Sequence, residues 1–470
     1  MSRASSVRWA LTGLSLSMLV SSLGTSVANV ALPTLAGVFA APFRDVQWVV
    51  LAYLLAVTTL VVGAGRLGDL IGRRRLLLAG IGVFTAASAV CGAAPALWVL
   101  VLARAAQGAG AAVMMALTMA FVGETVPRER TGGAMGLLGT MSAVGTAAGP
   151  SLGGLLISGF GWRAVFLAQV PLGVAAVLIA RRHLPAGGGK SGAEGRRPRF
   201  DLAGTLLLAV TLGAYALAMT TGRMVLLVVA GCGAVVFVVV ERRAASPLVR
   251  PATFRDPVLS ASLATSALVS TVMMTTLVVG PFHLARGLGL DAARVGLAVA
   301  VGPLVAALTG VPAGRIVDRL GAWRVTVAGL AATASGAFAL SVLPVSLGVV
   351  GYLAPLVVMT AGYALFQTAN NTAVMADAGP EQRGVVSGVL NLSRNLGLVT
   401  GTSVMGAVFA LASSASDVAT APAGAVATGM HVTFAVAAVL VVLALGIALG
   451  AGAWARRGAR VQAVAGAPRG

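Results

Sequence analysis

The sequence predicts an all-α polytopic membrane protein with fourteen transmembrane helices arranged six, two and six. Three observations carry that prediction. The apolar runs are too continuous for strands, the arginines alternate between successive loops, and one repeat offset recurs across the chain. Of 470 residues, 58% are hydrophobic and 10% are charged, against about 25% charged in an ordinary soluble domain. Lipid must therefore solvate much of the surface, and a lipid-exposed backbone has to satisfy its own polar groups as helices or closed barrels. Barrel strands alternate apolar and polar residues, whereas 234–240 and 434–445 are unbroken apolar stretches. Helices are the consistent answer.

A span takes about 20 mainly apolar residues at a 1.5 Å rise. Candidates in order are 9–31, 46–66, 75–94, 96–122, 132–158, 162–181, 201–220, 222–240, 257–282, 292–313, 324–343, 346–374, 384–412 and 431–454. The first imitates a secretory signal, with Arg3 and Arg8 ahead of it, but it runs past Asn29 to Pro33 with no convincing cleavage site and reads as a membrane helix. With the N-terminus cytoplasmic, the inside segments hold 26 of the 33 basic residues and the outside segments 5. That bias is the positive-inside pattern and puts both termini in the cytoplasm. Arg104 and Arg394 are the remaining two, each inside a span. The net charge of +20 is thus read as topology, not as nucleic-acid binding. Arginine far outnumbers lysine amid abundant Ala and Gly, which points to a GC-rich bacterial source and hence to the inner membrane.

The polar stretch from Arg181 to Phe200 reads as a cytoplasmic linker, and a second basic stretch runs from Glu241 to Arg255. Between them lie two spans bracketed as an insert. The expected organisation is a six-helix bundle over 1–182, a linker plus two extra helices over 183–255, and a second six-helix bundle over 256–470.

Transporters often carry internal repeats. Gly65, Asp69 and Gly72 follow the second span; Gly314, Asp318 and Gly321 follow the tenth, 249 residues later. Glu124, Pro127 and Arg130 recur as Asp377, Pro380 and Arg383. Gly136, Gly145, Gly149 and Gly154 recur 252 residues later as Gly388, Gly397, Gly401 and Gly406. Glycine is common here, so a single match carries nothing. Three groups at nearly one offset identify parallel halves.

These residues resemble the major facilitator superfamily, specifically its fourteen-span drug:H+ antiporter branch. The loop Gly65, Asp69, Gly72, Arg73, Arg74 and Arg75 looks like that superfamily's signature between spans two and three. Arg104 to Gly110 is similar to its fourth-span motif, and Ser26 to Pro33 to the first-span motif of the branch. Gly136, Gly145, Gly149, Pro150, Gly153 and Gly154 resemble the fifth-span motif associated with exporters. The resemblance implies a secondary efflux transporter of small amphipathic, antibiotic-like compounds, working by alternating access and coupled to protons. A uniporter or a lipid or metabolite exporter on the same fold is the alternative. One departure matters: many members carry an Asp where Gly24 stands here.

The chemistry of the residues adds to this. Asp69 at a helix end, with Gly65, Gly72 and Arg73, forms an expected latch between halves, with Asp318 serving the second half, because a carboxylate facing a helix N-terminus gains about 0.3–1 kcal/mol. Glycines every fourth residue on the fifth span allow close approach in lipid, and Pro150 permits a bend. Charges at membrane depth are expensive and functional by default, which singles out Arg104 with Gln107, and Arg394 with Asn391. Asn29, Tyr53, Gln367, Asn370 and Asn371 are further candidates for the substrate or proton pathway. All thirteen carboxylates map to loops or span ends. A lipophilic cation wants a buried carboxylate to offset its lost hydration, so neutral, zwitterionic or anionic substrates are expected over quaternary ammonium dyes.

No nucleophile with its base, His/Asp cluster, metal-ligand spacing or phosphate-binding loop is present. An enzyme is not expected, no cofactor or metal is expected, and the proton gradient is the expected energy source. Cys91 and Cys232 read as packing residues. The expected partners are lipid and a small molecule, with the chain a monomer.

Overall fold

The computed structural model of the chain describes residues 3–125, 131–184, 201–244, 256–377, 383–413 and 421–465. Among these described residues, fourteen helices are long and apolar enough to cross a membrane, in the order the apolar runs predict. They are α1 (Arg3–Val38), α2 (Trp48–Ile71), α3 (Arg73–Ala93), α4 (Leu97–Thr125), α5 (Thr131–Phe160) and α6, in two pieces (Trp162–Leu167 and Gln169–His183). The insert supplies α7 (Leu202–Thr221) and α8 (Val225–Arg243). There follow α9 (Pro257–Phe282), α10 (Ala292–Leu320), α11 (Ala322–Val342), α12 (Gly348–Asp377), α13 (Arg383–Thr400) and α14 (Ala423–Ala465).

Two of these are less regular than the apolar runs suggest. A π-helical turn, His283–Gly287, extends α9, and another, Gly401–Met405, joins α13 to the short helix Gly406–Ala412. A single turn, Phe43–Val46, precedes α2. Below, the end of the molecule where the chain starts is called the basic face and the other the far face.

Helix ends explain several carboxylates. Asp201, Asp256 and Asp291 each accept a backbone N–H at the start of α7, α9 and α10, at 2.7, 2.9 and 2.9 Å. Such N-caps satisfy donors that the first turn leaves open. The one-residue breaks after α2 and α10 fall on Gly72 and Gly321, whose φ values of 97° and 82° suit glycine alone. The two signature loops therefore turn in the same way.

Packing follows the repeat. α1 lies on α5 as α9 lies on α13, and α3 lies on α4 as α11 lies on α12. The halves meet along α5 with α10, α2 with α13, and α1 with α9. α7 packs against both α2 and the π turn of α13, where the Tyr215 hydroxyl donates to Thr400 Oγ1 at 3.2 Å. A polar bond between membrane helices contributes about 0.6 kcal/mol on average, so Tyr215→Phe is expected to lower the thermal-unfolding midpoint slightly and no more. α8 presents Val225, Val228 and Val235 outward. Cys232 is on that exposed surface, so the expected packing role fails for it and holds for buried Cys91. An apolar run marks a residue as buried in lipid or in protein, and cannot tell the two apart.

Candidate functional site

The first half is tied together by Arg104, which is fully buried seven residues into α4. Its Nε donates to the Val49 carbonyl of α2 at 2.9 Å. Its Nη1 donates to the Gly24 carbonyl of α1 at 3.0 Å and to Gln107 Oε1 at 2.5 Å. The guanidinium lies 4.2 Å from the Tyr53 ring centroid, a favourable cation–π distance. Gln107 passes the network on, donating through Nε2 to Ser88 Oγ on α3 at 2.7 Å and to Gln169 Oε1 on α6 at 3.3 Å. Five helices are thus held by one charge and two amides. Ser88 and Gln169 are network members that the sequence reading missed, although Gln169 is a polar residue in an apolar run.

Gly24 has a physical reason to lack a side chain in this arrangement. A Cβ there would stand 3.0 Å from the Phe84 ring and 3.3 Å from Gln169 Oε1. An aromatic ring fills the space that the resemblance assigns to a carboxylate. Tyr53 donates to the Ser21 carbonyl at 2.8 Å and receives Thr25 Oγ1 at 3.4 Å. Asn29, also buried, turns its Nδ2 back to Ser26 and Thr25 of its own helix and leaves Oδ1 unpartnered.

The candidates of the second half are spread more widely. Asn370 is buried and donates to the Ser262 carbonyl at 3.4 Å, whereas Asn371 and Asn391 are exposed. Gln367 and Arg394 are half-buried, with Gln367 Oε1 and Arg394 Nε unpartnered. Arg104 and Gln107 join one network with Tyr53 and Gly24. Asn29 and the second-half candidates lie outside it.

The glycines of α5 divide between two neighbours. Gly145, Gly149 and Gly153 press on α1: added Cβ atoms would fall 2.5 Å from the Leu19 carbonyl, on Ser26 Oγ, and 3.1 Å from Val27. Gly154 faces the other half. Its Cβ would lie 2.4 Å from the Ala292 carbonyl of α10, and a Cβ on Gly296 would lie 2.4 Å from the Pro150 carbonyl. Gly136 is in α5 near its start.

Aromatic rings close the same far-face end. Phe43 of the first half stacks edge-on with Phe282 and Phe409 of the second, at centroid distances of 4.9 and 5.7 Å. Phenylalanines in apolar runs carry no sign of such a role, and none was singled out from the sequence. At the basic face, Cβ positions on Gly65 of α2 and on Gly310 and Gly314 of α10 meet nothing within 4 Å. Among the expected latch residues, the Asp69 side chain lies outside the described residues, Arg73 is half-buried and Asp318 is exposed. The two halves are shut against each other at the far face.

This architecture matches known proteins. The sequence profile of the Major Facilitator Superfamily matches residues 14–402. The chain is 32% identical over 433 residues to the uncharacterized transporter YebQ of Escherichia coli, covering 90% of each. It is 32% identical over 417 residues to the multidrug resistance protein Stp of Mycobacterium tuberculosis, covering 85% of this chain and 75% of Stp. The crystal structure of a bacterial homologue of the human lysosomal transporter Spinster, inward-facing and occupied, superposes with a TM-score of 0.70 at 15% identity, over 95% of this chain and 96% of that one. Fourteen spans, a two-half repeat, a profile match over most of the chain and a shared fold lead to one statement: this chain belongs to the major facilitator superfamily and is a transporter.

Proposed function

We propose that the protein is a secondary exporter that carries small amphipathic compounds out across the plasma membrane by alternating access, driven by proton antiport. The observation that carries this reading is the closure of the two halves at the far face. The basic face is cytoplasmic by the arginine distribution, so this is the state in which an exporter loads. The similarity to Stp, which is named a multidrug resistance protein, supports drug-like cargo. The twelve transmembrane segments of the two halves rock about a site near the midplane, as repeats of this kind imply, while the latch around Asp69 and Asp318 re-forms when the basic face closes.

The preferred cargo is neutral, zwitterionic or anionic. No Asp or Glu falls at a span midplane in the sequence, whereas two arginines do lie within spans, and an unpaired charge in such a place selects against more of its own sign. The same lack of a midplane carboxylate favours a second reading, transport without proton coupling.

Purified protein in liposomes tests both. An imposed pH gradient is expected to accelerate export of a neutral or anionic antibiotic, and ethidium is expected to move more slowly than either. Indifference to the gradient would leave a uniporter, and faster ethidium export would overturn the charge preference.

A further inference from the structure

The two halves share one plan, and their buried arginines break it at different places. Gly145 of α5 sits on the Leu19 carbonyl and Ser22 of α1; Gly397 of α13 sits on the Ala267 carbonyl and Ser270 of α9. Ser22 therefore corresponds to Ser270. Three residues before each glycine, Ser142 corresponds to Arg394. In the first half, the Ser22 and Ser142 hydroxyls share a hydrogen bond of 2.8 Å. In the second, Arg394 Nε has no hydrogen-bond partner. Two serines are enough to close this helix pair, so packing does not call for the arginine.

Arg104 behaves in the opposite way. Gly80 and Gly110 meet backbone to backbone, as do Gly329 and Gly362. That correspondence puts Leu356 opposite Arg104, Met359 opposite Gln107 and Ala337 opposite Ser88, all three buried and apolar. Arg104 gives Nε and Nη1 to fixed protein acceptors and leaves Nη2 over; Arg394 has no such acceptor for its Nε.

We propose that Arg394 is the anchor for the anionic group of an amphipathic substrate, such as a carboxylate or sulfonate. It stands five residues into the apolar span Val389–Ala412, roughly 8 Å from its start at 1.5 Å per residue, and so inside a hydrocarbon core of about 30 Å. Tyr363 of α12 lies within its electrostatic reach, with Ser270 beside the Tyr363 hydroxyl. One turn along α12, Gln367 Oε1 is also unpartnered. No carboxylate occurs in α9 or α13, and the one in α12 is its last residue, Asp377. A guanidinium at that depth without a counter-charge is costly; an incoming anion offsets the cost, and its oxygens fit the planar fork of donors. The tyrosine, serine and amide groups then hold the polar parts of the cargo.

The inference rests on the export reading for its choice of ligand, and binding tests it without any gradient, so the two can fail separately. Full-length protein in phosphatidylcholine nanodiscs is titrated with 8-anilinonaphthalene-1-sulfonate and with N-phenyl-1-naphthylamine, which has the same rings and no sulfonate. Empty discs supply the blank. The wild type is expected to bind the sulfonate more tightly. Arg394→Ser, which copies the Ser22–Ser142 pair and so preserves packing, is expected to weaken the sulfonate about tenfold or more while leaving the neutral probe within about twofold. Arg394→Lys keeps the charge and is expected to stay within about threefold of wild type for the sulfonate, since it loses only the fork. Absence of a wild-type preference overturns the proposal, as does an equal effect of Arg394→Ser on both probes.

Discussion

Replacing Gly154 with leucine is expected to abolish the far-face closure and to cut transport by about tenfold or more, a branched side chain being forced into a backbone-to-backbone contact. The opposing atom is the Ala292 carbonyl, 2.4 Å from the Cβ position. Backbone cannot swing aside as a flexible side chain can, so α5 and α10 must separate. Gly159→Leu on the same helix is the control, because a Cβ there meets nothing within 4 Å. Spin labels at Phe160 and Arg286, both exposed at the far-face end, read the separation once the exposed Cys232 has been changed to serine. The outcome expected is a longer distance and slow transport in Gly154→Leu, and neither in Gly159→Leu. Equal transport by the two variants would remove the closure from the mechanism.

Arg104→Leu is expected to be strongly destabilising, by about 1–3 kcal/mol for each buried acceptor left without a donor. It takes away donors to Val49, Gly24 and Gln107 and the stacking on Tyr53. Gln107 Oε1 would then be buried without its donor, and such a group costs more than the lost bond. Arg104→Lys is expected to recover little, since an ammonium cannot serve three acceptors from the positions of a planar fork. Denaturant unfolding of the purified protein measures this. A wild-type midpoint together with lost transport would instead make Arg104 a participant in cargo or proton movement.

How far the sequence shows these features depends on what each feature is made of. The spans are legible because lipid imposes an unbroken apolar run of fixed length, and all fourteen are present. Their ends are less so: α1 begins at Arg3 and reaches Val38, beyond the apolar run 9–31, because Ser, Thr and Arg continue a helix into the interface without raising hydropathy. The π turn at Gly401–Met405 left no local trace. It arises where a Cβ on Gly401 would lie 2.5 Å from the Thr271 carbonyl, a contact between distant segments. Arg104 stands out in the sequence because a charge in a span is costly. Its partners do not, since Val49 and Gly24 contribute only carbonyls and Gln169 comes from another helix. The Phe43, Phe282 and Phe409 cluster was invisible for a related reason: a ring that plugs a gate and a ring that faces lipid satisfy the same hydropathy.

The inserted helix α7 touches both halves, with a directional bond at Thr400 on one side and α2 on the other. No rigid body can stay fixed to two parts that rotate against each other. The hydroxyl pair at Tyr215 and Thr400 has one good geometry, whereas dispersion contacts with the valines and leucines of α2 change little when the helices slip by an ångström. α7 is therefore expected to keep its directional contact with the second half and to slip on the first when the halves rock. Such a helix would let the joint turn while covering it from lipid.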